Sequence, residues 1–402
     1  MKLIVTTNAR LYKTADGAFW ARMVYGYLFF QRYLRVFDEV ILVAHCEESE
    51  DVDTVNCLRV DGPGLIVYEV PFPHGKIEYI KKYFKIRQTL KKIVKCCDAA
   101  ILRIPDQLAF QLYSLLKKRN IPVAVEITSN SWEFFSPESL KGFFRPFLRV
   151  LWHVNQKHVC KTALGVSYVT KYALQKRYPP MKAIKGQGFT SHYTDTDISL
   201  KNIMPPRTYD KEKKLFTAIH VCGNIGGYAK GHKELIEAMG ILSERNIHID
   251  LVLVGTGKLA ADIEEQIDKY KLRNRIRFTG MISDREALFA EMRSADIFVF
   301  PSYREGLPRV VVEAMACALP CVTTDLDGIR ELLDDNCMVP VRDSDSLADK
   351  LQEVFTQPDI LSEMSRQNSQ KAREYCKEET NKKRREFYEK LKEYVDKGGG
   401  KK

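Results

Sequence analysis

The feature that most constrains this chain is a rhythm that occurs twice. Short apolar runs, "KLIVT" near the start, "EVILVAH" at 39–45, "AAILRI" at 99–104, "PVAVEI" at 122–127 and "LGVSYV" at 164–169, alternate with stretches of helical pattern, among them a long one around 18–36. A strand that is apolar on both faces has to be covered on both faces, as in a parallel sheet between two helical layers. The rhythm lapses between 179 and 214, where "PPMKAIKGQGFT", "DTDISLKN" and "MPPRTYDKEKK" are rich in Pro, Gly and charge and hold no sustained period. It restarts with "LFTAIHV" (215–221), "IDLVLVG" (249–255), "RIRFTG" (275–280), "ADIFVFP" (295–301) and "PCVTT" (320–324), each followed by helix-like sequence. Two doubly wound α/β domains are predicted, and 402 residues at 45% hydrophobic composition are enough for two cores of ordinary size. The last stretch, "SRQNSQKAREYCKEETNKKRREFYEKLKEYV", is predicted to be helical and to cross back onto the first domain, with "KGGGKK" as a disordered end.

Charge separates the halves. The net charge is +11, and residues 1–200 carry all of it, since 201–402 hold equal numbers of basic and acidic side chains. The excess is densest in "KIEYIKKYFKIRQTLKKIVK" (76–95) and "LKGFFRPFLRVLWHVNQKHVCK" (140–161). Tyr79, Tyr83, Ile86, Leu90 and Ile93 share a helical face in the first of these; the second mixes Phe143, Phe144, Phe147, Leu148, Leu151 and Trp152 with Lys and Arg. Basic amphipathic helices of this kind lie on anionic membrane surfaces; the competing reading makes the aromatics core and the lysines solvated. No nucleic-acid module accompanies the charge, so nucleic acid is not an expected partner. The ten cysteines are spread along the chain without a CxxC pair and read as reduced structural thiols. No run approaches the ~20 apolar residues of a spanning helix, and the apolar start stops at Asn8 and Arg10, so a cytoplasmic location is expected.

The stretch "PSYREGLPRVVVEAMACALP" (301–320) follows an apolar strand and so lies at a carboxyl sheet edge, where open α/β sheets bind ligands. Pro308 suits the first turn of a helix, and the amides around Gly306 and Leu307 are then free for an anion such as a diphosphate. Glu305 and Glu313 flank that site; carboxylates are poor partners for phosphate but good acceptors for hydroxyls, which suits a ligand with hydroxyls on both sides of its phosphates. A solvated first helical turn would explain the same two glutamates. "HVCGNIGGYAKGHKELIEAM" (220–239) also follows a strand and places Lys230, a phosphate-neutralising cation, just before a helix starting near His232. His232 and Lys233 stand where a Walker A loop has Lys and Ser/Thr, so a nucleoside triphosphatase is disfavoured, and "VGTGK" (254–258) lacks the third glycine of a dinucleotide fingerprint. "DVD" (51–53) and "DSD" (343–345) do not closely follow apolar strands and read as solvated turns.

The motif order "KGHKELIEAM", "LVLVGTGK", "RIRFTGMI", "ADIFVFPSYREGLPRVVVEAMA" and "PCVTTDLDGIRELL" resembles glycosyltransferase family 4, retaining enzymes of the two-domain GT-B fold. The resemblance is strong over about 215–390 and weaker in "RLYKTADGAFW", "AAILRIPDQL", "VEITSNSWE" and "SYVTKYALQKRYPP". It implies two Rossmann-like domains facing a central cleft: an acceptor domain over 1–198, a nucleotide-sugar domain over 199–378, and a helix and tail from 379 to 402 on the first domain. It also implies that Glu305 takes hydroxyls of the donor sugar, that the amides of Gly306 and Leu307 hold the diphosphate, that Glu313 binds the ribose and that Lys230 stabilises the leaving group. Gly280 and Met281 would flank the base, and the turn holding Gly17 would close over the phosphates. Asn224 stands where many members have a phosphate-binding arginine, with Arg309 or a residue of the first domain as its replacement. Ser129-Asn130-Ser131-Trp132 replaces a Gly-Asp-Pro-Trp run, and the histidine that relatives often place in the first domain's cleft has no clear equivalent here, Arg103 standing near that position. The expectation is a metal-independent hexosyltransferase without a cofactor, acting from a nucleotide diphosphate-sugar on a glycan or lipid-linked acceptor in surface polysaccharide synthesis, peripheral at the inner face of the cell membrane. The alternatives are a binding module that has lost catalysis and another nucleotide-sugar enzyme such as an epimerase.

Overall fold

The structure, a computed structural model, describes the chain apart from residues 23, 24, 51, 54–56, 138–141, 401 and 402, and apart from the side chains of residues 76, 77, 79 and 80. Contacts group it into two compact units, one of Met1–Trp132, Pro146–Tyr193 and Asn381–Lys402, the other of Glu133–Arg145 and Thr194–Thr380. The sequence reading assigned 133–145 to the first domain. Its grouping with the second follows from tertiary contacts that no local pattern encodes: Arg304 donates to the Phe134 carbonyl at 3.0 Å and lies over the Phe134 ring.

Among the described residues the first unit has ten strands: β1 (Lys2–Thr6), β2 (Leu11–Lys13), β3 (Phe19–Arg22), β4 (Glu39–Glu48), β5 (Cys57–Arg59), β6 (Leu65–Pro71), β7 (Ala99–Ile104), β8 (Val123–Ile127), β9 (Gly165–Tyr168) and β10 (Phe189–His192). Strands β10, β9, β8, β7, β1, β4 and β6 pair in that order, all parallel. β7 and β8 are buried at every position, as two-sided burial requires. Helix-like sequence was expected over 18–36, but the helix is confined to Tyr27–Leu34. Phe19–Arg22 instead forms an antiparallel hairpin with β2, because Gly17 takes φ +83° at the turn and Ala21 can then alternate inward. The C-terminal helix Lys377–Asp396 sets Phe387, Tyr388 and Leu391 into this unit's core beside Tyr33 and Tyr193. The tail was expected to be disordered, yet through Gly400 it keeps hydrogen-bonded turns, and Gly400 packs against Pro122. Residues 401 and 402 lie outside the described part.

The second unit is one parallel sheet of β11 (Phe216–Asn224), β12 (Ile249–Thr256), β13 (Ile276–Gly280), β14 (Ile297–Phe300), β15 (Cys321–Thr324) and β16 (Met338–Val339), in the order β13-β12-β11-β14-β15-β16. This is the doubly wound Rossmann order, and strand succession reverses between β11 and β14. In such sheets the carboxyl edge at that reversal is where ligands bind. The loops leaving those two strands are the two singled out from the sequence.

Candidate functional site

After β14 the chain turns through Pro301–Pro308 into the helix Arg309–Ala316, whose Val311, Val312, Ala314 and Met315 are buried. Pro308 is the residue before the helix, in extended conformation, rather than in its first turn as predicted. Its fixed φ serves either position. Among the described residues no protein group accepts from the backbone N–H of Glu305, Gly306 or Leu307. The Gly306 turn is held from below by Gly328, where a Cβ would come within 1.6 Å of the Gly306 carbonyl oxygen.

After β11 the loop passes through Gly223–Gly231 into the helix His232–Glu244. Gly231 adopts φ +71°, and a Cβ there would lie 2.0 Å from the Pro301 carbonyl oxygen, so the two loops meet backbone to backbone. Tyr303 N–H donates to the Ala229 carbonyl at 3.0 Å across the same seam. The contact brings Lys230 Nζ onto Glu305 Oε1 as an ion pair, with the lysine side chain 35% and the glutamate 18% exposed. Ser302 Oγ lies 3.0 Å from the same carboxylate oxygen, and Thr324 donates to the Ser302 carbonyl.

Glu313 is 19% exposed, and among the described residues nothing donates a hydrogen bond to it. Arg285 approaches to 3.8 Å while bonding to Asp197 at 3.1 Å. Burial pushes the Glu313 carboxyl up from its ordinary value, with Arg285 and Arg309 opposing. Arg309 is exposed and, among the described residues, makes no hydrogen bond or ion pair. Asn224 turns into its own loop, Oδ1 accepting from Gly226 N–H at 2.8 Å, an Asx turn. Gly280, at φ +74°, ends β13, and Met281 beyond it is 43% exposed. All these residues belong to the second unit and most lie at the carboxyl ends of its strands. Gly17 belongs to the first unit, at the tip of the β2–β3 hairpin, where Gly17 N–H donates to the Thr14 carbonyl at 2.9 Å.

Sequence reasoning did not single out Ser302, Gly328 or Arg285. Ser302 and Gly328 lie inside quoted motifs, "ADIFVFPSYREGLPR" and "PCVTTDLDGIRELL"; Arg285, in a solvated-looking helix start, had no local signal. In the first unit, Arg103 is no open cation: it is buried and paired with Glu126 at 2.9 Å. Asn130 is also buried, accepting from Tyr178 Oη at 2.7 Å and from Trp132 N–H at 3.0 Å. In the basic segment 76–95, Ile86, Leu90 and Ile93 are core, so that apolar face is not a docking surface, although Phe84 is 74% exposed among lysines. The side chain of Tyr79 lies outside the described part, as does "LK" at 140–141 and Asp51 of "DVD". The helix Arg145–Thr162 exposes Phe147, Val150, Leu151 and Val154 at helical spacing. Asp343 of "DSD" caps the helix Ser344–Thr356, accepting from Ser346 N–H at 2.9 Å. Among the described residues no helix is long and apolar enough to cross a membrane.

Residues 210–375, the body of the second unit, match the family Glycosyl transferases group 1. Protein CapJ of Staphylococcus aureus is 26% identical over 310 residues, covering 76% of this chain and 74% of that one. The amylovoran biosynthesis glycosyltransferase AmsK of Erwinia amylovora is 31% identical over 128 residues, 30% of this chain and 31% of that one. Among solved structures, Anabaena Alr3699/HepE in complex with UDP superposes with a TM-score of 0.61 over 99% of this chain and 100% of that one, at 14% identity. The likeness shows the fold: two Rossmann-like units of the GT-B class.

Proposed function

We propose that this chain is a glycosyltransferase of the family 4 type, which moves a sugar with retention from a nucleotide diphosphate-sugar to a glycan or lipid-linked oligosaccharide in surface polysaccharide assembly. The observation that carries the reading is the Lys230–Glu305 pair beside free amides at the point where the Rossmann strand order reverses. The match of residues 210–375 to a glycosyltransferase family, the UDP bound in a structural neighbour and the biosynthetic role printed for AmsK support it.

In this reading the diphosphate takes the amides of Gly306 and Leu307 at the helix N-terminus, with Arg309 beside it as a second cation. Lys230 leaves Glu305 for the phosphate and meets negative charge as it develops on the departing group, where such stabilisation is worth most. Glu305, held by Ser302, then accepts hydroxyls of the sugar. Glu313, with its hydrogen-bonding capacity unused, accepts the ribose hydroxyls, and Gly280 and Met281 flank the base. The leaving phosphate oxygen takes the proton of the acceptor hydroxyl attacking from the same face, so this mechanism assigns the proton to no side chain and the charge to no metal. Gly17 is assigned to the phosphates by the family resemblance alone.

A cytoplasmic protein docked on an anionic membrane is the proposed setting, through the exposed stripe of Arg145–Thr162 and the lysines around Phe84. Equal, negligible sedimentation with anionic and neutral liposomes would remove that part. For the main reading, Glu305→Ala should leave a folded protein that no longer transfers sugar, and the wild-type product should keep the donor's anomeric configuration by NMR. Transfer at the wild-type rate by the variant would sink the site, and an inverted product would sink retention. Asn224, committed to its own turn, favours a second reading in which the unit binds donor without transfer; saturable donor binding with no product from any acceptor would establish it.

A further inference from the structure

Behind the Lys230 loop is a cluster that the proposed transfer does not use. His220 and Cys222 are two residues apart on β11 and so point to one side of the sheet, where His232 opens the next helix. All three are buried, and one potential ligand atom from each lies within 4.8 Å of the others. Cys222 Sγ and His232 Nε2 are 3.4 Å apart. His220 Nδ1 lies 2.9 Å from the Val299 carbonyl oxygen, which can only accept, so the ring proton is on Nδ1 and the lone pair on Nε2. That Nε2 is buried without a hydrogen-bond partner among the described residues. An imidazole anchored to a carbonyl through one nitrogen, with the other bare, is how metal-ligating histidines are held.

We infer that His220, Cys222 and His232 form a binding site for a soft d10 cation, Zn2+ or Cu+. One thiolate and two imidazoles match that class of ion. Ligand bonds of about 2.0–2.3 Å put ligand atoms roughly 3.5 Å apart; Cys222 and His232 already have that spacing, and His220 closes on them from within 4.8 Å. Burial pushes both imidazoles down, toward the neutral form that ligates, and binding through Cys222 expels its thiol proton. The ligands bracket the loop 223–231, and an ion there would clasp strand to helix at both ends of the segment that carries Lys230.

The test uses the full chain with Cys96→Ser and Cys97→Ser, which removes the two thiols that are not buried. One equivalent of Co2+ should give tetrahedral visible bands with a sulfur-to-cobalt charge-transfer band, bleached by Zn2+ and missing in Cys222→Ala. Cu+ is tested by competition with a chromophoric chelator, and whichever arm is positive identifies the ion. X-ray absorption of the loaded wild-type chain needs no variant and should show one sulfur and two imidazole nitrogens. Co2+ bands unchanged in Cys222→Ala, a shell with two or more sulfurs, or neither cation retained against one equivalent of chelator would overturn the assignment.

Discussion

Each unit contains a carboxylate paired with a cation, and the two pairs differ in how completely they are satisfied. In the first unit Glu126 accepts four hydrogen bonds, from Tyr193 (2.9 Å) and Tyr388 (2.7 Å) on one oxygen and from Tyr33 (2.8 Å) and Arg103 (2.9 Å) on the other. Both members of its ion pair are under a tenth exposed. In the second unit Glu305 holds one lysine and one hydroxyl at a partly open edge, and Glu313 holds no hydrogen bond among the described residues. A saturated buried network has no capacity left for a ligand and serves the fold; an unsaturated one at a sheet's carboxyl edge is equipped to take hydroxyls and phosphate. The contrast separates architecture from site without reference to any relative.

The strongest challenge to that division is Glu126→Ala, which takes a shared acceptor from Arg103 and from three tyrosine hydroxyls in the core, one of them on the C-terminal helix. Stability should fall by about 3–5 kcal/mol, the usual cost of breaking a buried pair, and denaturant melts would show it. Glu305→Gln should behave oppositely, keeping the melt within about 0.5 kcal/mol of wild type while transfer drops by roughly 100-fold or more, as when a group that positions the reacting sugar is removed. Glu313→Gln should weaken donor binding by about tenfold, about the 1.4 kcal/mol of one hydrogen bond to a charged group. Because burial raises the Glu313 pKa, wild-type donor affinity should decline as pH falls through that raised value and the variant should lack the decline; identical pH profiles would remove Glu313 from the site. The smallest effect is expected at Asp106, the half-buried cap of the helix Gln107–Lys118, which accepts from Ala109 N–H at 2.9 Å. Burial pushes its pKa up to about 6, above the unfolded value, so its contribution is fully present below the unfolded pKa and lost as pH rises through 6. Asp106→Asn, an equally good cap, should gain about 1 kcal/mol over wild type at pH 7 and nothing at pH 3.5; equal stability at both pH values would show the carboxylate is not strained.

The second unit was legible because its signals are local. Strand, glycine turn and helix start follow one another in "HVCGNIGGYAKGHKEL" and in "ADIFVFPSYREGLPRVVVEAM", so the positions of Lys230, Glu305 and Glu313 follow from reading each segment alone. Gly328 and Arg285 act through contacts with chain 22 and 28 residues away, and nothing in their own neighbourhoods marks them. The first unit was read as a parallel sheet correctly, but Arg103 and Glu126 look like any polar positions in apolar strands. Their pairing became visible only once β7 and β8 were adjacent with Arg103 opposite Glu126. Strand β3 falls in the stretch that reads as helix because "FWARMVYGYLFF" is apolar but for Arg22 and its period is ambiguous.

The account's central claim is that the edge carrying Lys230 and Glu305 binds a nucleotide diphosphate-sugar. Calorimetric titration of wild type and Lys230→Ala with UDP, GDP and ADP, each with and without its hexose, tests it most directly. The account predicts saturable binding of one nucleoside diphosphate by the wild type, tighter with the correct sugar, and a loss of at least about tenfold in the variant, the scale of one charge-assisted hydrogen bond. Binding of equal strength in Lys230→Ala, or no binding of any of the six compounds, would contradict it.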